Sequence, residues 1–267
     1  MTATAVARKE VTLSHGKTRY LEAGSGHPVI LLHGAGMQGG ADDWRPAIGP
    51  LSSHFRVLAP DFIGWPPGDT RANLDAFPYL TDFVREFQDV LGLERSHVVG
   101  ATMGGWIAGL LGYESPHRID KLVMTGNPGF HGAPNERLAN VQRPTEEQIR
   151  KAIERVATDL SESEREALIQ EKLQKVSELG YTEAHAQMMK TMADSANRSR
   201  FILMRRLPHI KVPTLFILGR HDPSSELADK LVSLVPGSRA IVIEDGGHQV
   251  HYENTDEFCK AVIDFLT

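Results

Sequence analysis

The chain has 267 residues, 41% of them apolar and 24% charged, enough to bury a sizeable core and too apolar for a disordered chain. Its net charge of −5 weighs against nucleic-acid or anionic-membrane binding, and a single cysteine excludes an internal disulfide framework or a multi-cysteine metal site. The start, MTATAVARKEVTL, lacks the apolar stretch of a signal peptide, and no uncharged apolar run reaches membrane-spanning length, so a soluble cytoplasmic protein is the expectation.

Two strands are predicted around a His15–Gly16 turn, over Val6–Leu13 and Lys17–Leu21. Val29–Leu32 reads as a buried strand that runs into the glycine-rich loop HGAGMQGGADDW. A short apolar run at Phe55–Ala59 precedes the loop PDFIGWPPGD. Leu80, Phe83, Val84, Phe87, Val90 and Leu91 then recur at helical spacing over 74–91. A strand ends at His97–Gly100, a helix begins within TMGGWIAGLLGY, and Lys121–Met124 is the next strand. This alternation predicts an α/β fold with a mostly parallel sheet and helices on both faces.

Near 130 the pattern changes. The stretch 136–200 is dense in charge and holds one glycine, Gly180, and one proline, Pro144. Thr145 with Gln148, and Ser161 with Glu164, have capping-box spacing and open helices predicted at 145–159 and 161–179, with a third at 182–193. Ile149, Ile153, Val156 and Leu160 form an apolar stripe. Met188, Met189 and Met192 suit either a packing face or a soft pocket wall. Strands resume at Val212–Leu218 and Arg239–Ile243, with helices at Glu226–Val235 and Thr255–Leu266. The expected division is therefore a core of 1–129 and 206–267 with a helical cap inserted at 130–205. Cys259 is read as a small hydrophobe on the closing helix.

Three loops follow predicted strands, at the end of an open α/β sheet where sites are built. In VVGATMGG, Gly100 and Gly104 permit a sharp strand-to-helix turn that lifts residue 102 beside a helix N-terminus. GRHD places Asp222 just past a strand, with His221 as an adjacent decoy, and GGH places His248 after the last strand. The order is hydroxyl, acid, histidine.

That order and spacing resemble the α/β-hydrolase superfamily along the whole chain. HGAGMQGGADDW, the cap position, PTLFILGRHD and GGHQVHYENTDEFCKAVIDFL are similar to the meta-cleavage-product hydrolase branch, whose members cut carbon–carbon bonds in vinylogous 1,5-diketone acids formed by catechol ring opening. The resemblance implies Thr102 as nucleophile, Asp222 as acid, His248 as base and the backbone N–H groups of Ala35 and Met103 as oxyanion hole. It makes His33 a scaffold residue and needs no cofactor or metal. It leaves a homodimer open, and no periodicity establishes one. Gly36, Asp43, Trp65, Met188, Met192 and Gln249 are the pocket candidates, while Trp44 and Trp106 are expected to pack.

The chain departs from the family pattern at several points. Threonine stands where serine is usual, Ala101 and Asp43 where asparagine is usual, and Gln249 where tryptophan is usual; Lys172 is the nearest match for a cap arginine. A β-branched residue at positive φ is strained, and its methyl crowds a substrate carbonyl. Three readings of Thr102 stand: a slower nucleophile, a positioning hydroxyl, or a serine replacement introduced to trap substrate. The function expected is a hydrolase of a small or medium, partly apolar carbonyl compound, cutting a β-diketone-like carbon–carbon bond, an ester or a lactone. The rivals are a cofactor-free lyase, cyclase or isomerase on the same fold, and an inactive small-molecule-binding protein.

Overall fold

The computed structural model describes residues 5–14, 16–36, 40–62, 76–126, 129–130, 136–178 and 180–267. In chain order the elements are β1 (Ala7–Leu13), β2 (Gly16–Ala23), β3 (Pro28–Leu32), α1 (Arg45–Ser52), β4 (Arg56–Pro60), α2 (Ala76–Val90), β5 (Ser96–Ala101), α3 (Met103–Glu114) and β6 (Ile119–Thr125). They continue with α4 (Glu136–Ala139), α5 (Glu146–Val156), α6 (Glu162–Ser177), α7 (Tyr181–Ala193), α8 (Ser195–Phe201), β7 (Thr214–Gly219), α9 (Ala228–Leu234), β8 (Arg239–Ile243), α10 (Val250–Glu253) and α11 (Thr255–Leu266).

The strands form one eight-stranded sheet in the order β1-β2-β4-β3-β5-β6-β7-β8. β1 pairs β2 and β2 pairs β4 antiparallel, and every other pairing is parallel. The crossover helices cover both faces, and the period-2 geometry of a strand sorts its side chains between them. In β3, Ile30 and Leu32 join the apolar layer under α2 and α3, whereas Val29 and Leu31 join the layer under α1 and α11. In β7, Phe216 and Leu218 go to the first layer, Leu215 and Ile217 to the second. Each such side chain, removed from water on a fully buried strand, stabilises the fold by roughly 1.5–3 kcal/mol.

Between β6 and β7 lie the helices α4 to α8. Both capping boxes close: Thr145 and Gln148 exchange side-chain-to-backbone hydrogen bonds at the start of α5, as do Ser161 and Glu164 at α6. Ile149, Ile153, Ala157, Leu168, Ile169, Val176 and Tyr181 form a small core of their own. The helices are tied to the sheet by charge. Asp42, almost fully buried, receives Arg8 of β1 at 2.9 Å, Arg45 of α1 at 2.8 Å and Lys172 of α6 at 3.0 Å. Arg19 of β2 holds Glu171 of α6 at 2.6 Å, and Arg45 reaches Asp159 at 3.0 Å.

Three differences from the sequence expectation have local causes. α1, RPAIGPLS, carries two prolines and a glycine that mask its periodicity, although the first proline suits a helix start. The helix expected at Glu226–Val235 is a 3₁₀ turn over Pro223–Leu227 followed by α9. α8 opens on Asp194, whose side chain accepts from Asn197 N. Among the described residues no helix is long and apolar enough to cross a membrane.

Candidate active site

The carboxyl ends of β3, β5, β6, β7 and β8 bring five loops together. β5 runs directly into α3 through Thr102, whose backbone sits at φ 51°, ψ −109°, and Thr102 is the one non-glycine residue at positive φ among the described residues. Its amide still donates to Thr125 O at 2.9 Å, so the ladder to β6 holds until the turn itself. The turn is tight because its flanks are bare. A Cβ on Gly104 would stand 2.0 Å from Leu32 O, and one on Gly100 would stand 2.3 Å from Gly104 O. Strand and helix therefore touch backbone to backbone, and only glycine fits. The amides of α3's first turn, Met103 N–H among them, have no carbonyl behind them in the helix and lie beside Thr102.

The threonine's orientation is defined by its neighbours. Thr102 Oγ1 lies 2.6 Å from where a Gly34 Cβ would stand, while Cγ2 lies 3.0 Å from the corresponding point on Gly126. His248 Cε1 is 3.4 Å from that same Gly126 point. The methyl thus occupies the imidazole side of the turn and the hydroxyl the side of the β3 loop. Among the described residues the hydroxyl makes no hydrogen bond to His248.

Asp222 and His248 are brought together by a second backbone contact. A Cβ on Gly219 would stand 2.0 Å from Gly247 O, and His221 N donates to Gly246 O at 2.9 Å, so the loops after β7 and β8 lie against each other. His248 Nδ1 donates to Asp222 Oδ2, which holds the tautomer that leaves Nε2 with a lone pair. Asp222 Oδ1 accepts from Ser224 N at 2.7 Å and from the Ser224 hydroxyl. Burial alone would raise the Asp222 pKa, but the hydrogen bonds from His248 and Ser224 outweigh it and hold the carboxyl below its usual range. Asp222 is buried and the His248 side chain is 46% exposed, so the pair has a shielded anchor and a reachable end. Glu253 steadies the histidine loop by accepting from Gly247 N at 3.0 Å and Gln249 N at 3.4 Å.

His33 is held from both sides. Nδ1 donates to Gly34 O at 2.7 Å and Nε2 accepts from Phe62 N at 3.0 Å. Burial pushes its pKa down to about 4, so the ring is neutral and braces the loop that carries Ala35.

Of the pocket candidates, Gly36 is exposed and Gln249 half-buried, both at the loop ends. Asp43, in a 3₁₀ turn over Gly40–Trp44, has its carboxyl pushed up to about 7, chiefly by burial, with Asp42 and Asp61 adding to the effect and Lys172 and Arg155 opposing it. Met188 and Met192 are buried on α7 in the layer that also holds Trp106 and Phe201. Trp65 lies outside the described residues, as does His15. Lys172 is committed to Asp42. Trp44 and Trp106 pack as expected, the latter donating Nε1–H to Phe201 O at 2.9 Å. Sequence reasoning missed Ser224 and Glu253; an Asx-type D-P-S turn was the only signal for the first, and nothing local pointed to the second.

The arrangement offers a base with a fixed tautomer, a hydroxyl on a strained turn and free helix-terminal amides, which is the equipment for adding oxygen to a carbonyl. A model described as the alpha/beta hydrolase fold matches residues 27–255. The chain is 32% identical to a 2-hydroxy-6-oxo-6-phenylhexa-2,4-dienoate hydrolase of Comamonas testosteroni, covering 96% of this chain and 93% of that protein. It is 30% identical to a 2-hydroxy-6-oxononadienedioate/2-hydroxy-6-oxononatrienedioate hydrolase of Pseudomonas putida, covering 92% and 90%. Among solved structures, the meta-cleavage product hydrolase from Pseudomonas fluorescens IP01 superposes with a TM-score of 0.74 at 26% identity over 97% of each chain.

Proposed function

The chain belongs to the α/β-hydrolase fold family and is a hydrolase, and on that premise we propose that it cuts the acyl carbon–carbon bond of a partly apolar, β-diketone-like substrate through Thr102, His248 and Asp222. The observation that carries this reading is the Asp222–His248 pair set behind a hydroxyl on a positive-φ turn. The substrate class is supported by the names of the relatives, which act on 2-hydroxy-6-oxo-dienoates.

His248 Nε2 takes a proton from the Thr102 hydroxyl, whose oxygen adds to the substrate ketone. The negative charge that forms on the carbonyl oxygen is met by the N–H groups of Ala35 and Met103. Collapse breaks the adjacent carbon–carbon bond, the electron pair leaves as a conjugated enolate, and His248 returns the proton to its carbon. Water, activated by the same histidine, then hydrolyses the acyl–threonine ester. The helices α4 to α8 act as a cap that excludes bulk water, with Met188 and Met192 on its inner wall and Asp43, Gly36 and Gln249 around the mouth. No step calls for a cofactor.

Lys172 is bound to Asp42, and Ala101 offers no hydrogen bond beside the nucleophile. These departures favour substrates with fewer negative charges than a dienedioate. The orientation of Thr102 favours a second reading of one step, in which His248 activates water directly and the threonine hydroxyl only orients it.

The experiment compares turnover of 2-hydroxy-6-oxo-6-phenylhexa-2,4-dienoate, neutral β-diketones, p-nitrophenyl esters and lactones in ¹⁸O-labelled water. Diketone cleavage with label in the acid product supports the proposal. Ester or lactone turnover without any carbon–carbon cleavage defeats the substrate assignment, and product without label defeats hydrolysis. Intact-protein mass spectrometry under turnover separates an acyl–Thr102 adduct from direct attack by water.

A further inference from the structure

At the opposite end of the sheet, three strands start side by side with metal-binding side chains. His27 directly precedes β3, His97 is the second residue of β5, and Asp120 is the second residue of β6. β5 lies between the other two, and the register pairs Val29 with His97 and Ser96 with Ile119. The β5–β6 ladder is irregular between Ser96 and Val98, which sets His97 out of the regular pairing beside Asp120. One ligand atom from each of the three side chains lies within 4.8 Å of the other two. His27 Nε2 is 2.9 Å from Asp120 Oδ2, and the two imidazole rings stand 4.5 Å apart.

The His27–Asp120 contact alone would be an ordinary surface ion pair. His97 is what it leaves unexplained. That side chain is only 6% exposed, and its Nδ1 is buried with no hydrogen-bond partner among the described residues. A buried polar atom of this kind calls for a partner. Phe55 closes the apolar side of the ring, edge-on at 6.0 Å.

We propose that His27, His97 and Asp120 form a zinc site, with water completing the coordination, that staples the starts of β3, β5 and β6. Two imidazoles and a carboxylate are a donor set zinc accepts, and tetrahedral ligands around it stand about 3.3 Å apart, a modest closure from the present spacing. Arg95 Nε donates to Asp120 Oδ1 at 2.5 Å, which orients the carboxylate and leaves Oδ2 toward the histidines. Arg95 is also a cation beside the site, as is Lys121, whose Nζ is engaged by Phe265 O and Leu266 O at 2.9 Å each. Both reduce zinc affinity below that of an all-anionic centre. The site lies about 16 Å from Thr102 along β5, at roughly 3.3 Å per residue, so its role is structural.

The test uses the full-length protein stripped with chelator, titrated with ZnCl₂ by calorimetry and melted with and without the metal. One equivalent is expected to bind, raising Tm by roughly 4–8 °C at a hundredfold excess over Kd. Cobalt(II) substitution is expected to give the intense visible bands of a low-symmetry nitrogen–oxygen site. His27→Gln, at an exposed position that leaves the core intact, is expected to weaken binding by at least about 10-fold with hydrolase activity unchanged, while His209→Gln, at an exposed histidine elsewhere, binds as before. Absence of stoichiometric zinc binding, or equal binding by the parent and the His27→Gln protein, overturns the proposal.

Discussion

The methyl of Thr102 faces the side of the elbow that His248 occupies, and its hydroxyl faces Gly34. In the proposed mechanism the hydroxyl has to come within hydrogen-bond reach of the imidazole, and β-branching stiffens rotation about χ1. Thr102→Ser removes the methyl and frees the rotamer, and kcat is expected to rise about 10- to 100-fold, since 1.4–2.7 kcal/mol of barrier corresponds to that range. Thr102→Ala is expected to lose more than about 1,000-fold. Steady-state kinetics on the best substrate checks both; no gain with serine would place Thr102 outside the nucleophile role.

The same residue stores strain. At φ 51° and ψ −109° a β-branched side chain costs on the order of 1–3 kcal/mol. Thr102→Gly is therefore expected to stabilise the fold by about 1–2 kcal/mol while abolishing turnover. Urea unfolding of the two proteins measures the difference, and a destabilised glycine variant would contradict the strain argument.

Asp222 fixes the histidine tautomer, a task that an amide does with the wrong polarity. Asp222→Asn is expected to reduce kcat by about 10³- to 10⁴-fold with little change in KM. The loss should be smaller at high pH, where hydroxide replaces the missing base, so a pH–rate profile of the variant distinguishes loss of the base from general misfolding.

Asp42 gathers Arg8, Arg45 and Lys172 in a buried position, and α6 docks on β1 and α1 through it. Removing one partner from a buried ionic cluster leaves charges uncompensated. Asp42→Asn is expected to destabilise by about 3–5 kcal/mol and to loosen α6 first. Hydrogen exchange read segment by segment should show protection lost at 162–177 before it is lost in the sheet. Three cations hold the Asp42 pKa well below the usual carboxylate range. Its contribution is present above the unfolded carboxylate pKa and is lost only as pH falls toward the depressed value.

Asp43 has the opposite sign. Its pKa is raised to about 7 by burial, so the folded protein holds a proton that the unfolded chain releases above about pH 4. The contribution of this group is greatest below the unfolded value and falls as pH rises from about 4 to 7, by up to about 4 kcal/mol for a shift of this size. Asp43→Asn keeps the hydrogen-bonding capacity of the protonated acid without the charge. The variant is expected to flatten the pH dependence over this window and to retain activity at pH 8 better than the parent. Denaturant unfolding at pH 5 and pH 8 measures the first effect, and kcat/KM across the same range measures the second.

Much of this was legible in the sequence. The β7 segment Thr214–Gly219 and the closing helix Thr255–Leu266 follow from unbroken apolar runs and helical spacing, because strands buried on both faces and amphipathic helices each leave a periodic signature. The capping boxes at Thr145 and Ser161 were visible because both partners lie three residues apart. The elbow glycines 100 and 104 flagged Thr102, since close backbone approach leaves no alternative residue.

What the sequence determined by itself was the alternation of strand and helix, the three loops, and the order hydroxyl, acid, histidine, all written in spacing within a few residues. Only the tertiary structure decided which atoms meet. His248 on Asp222, Arg8 against Asp42 and Glu171 against Arg19 depend on how segments distant in the chain close on one another. So does the rotamer of Thr102, whose Oγ1 lies on the Gly34 side and whose Cγ2 lies on the Gly126 side of the turn. Such contacts are long-range and directional, set by a few tenths of an ångström of packing, and they leave no period for a sequence to display.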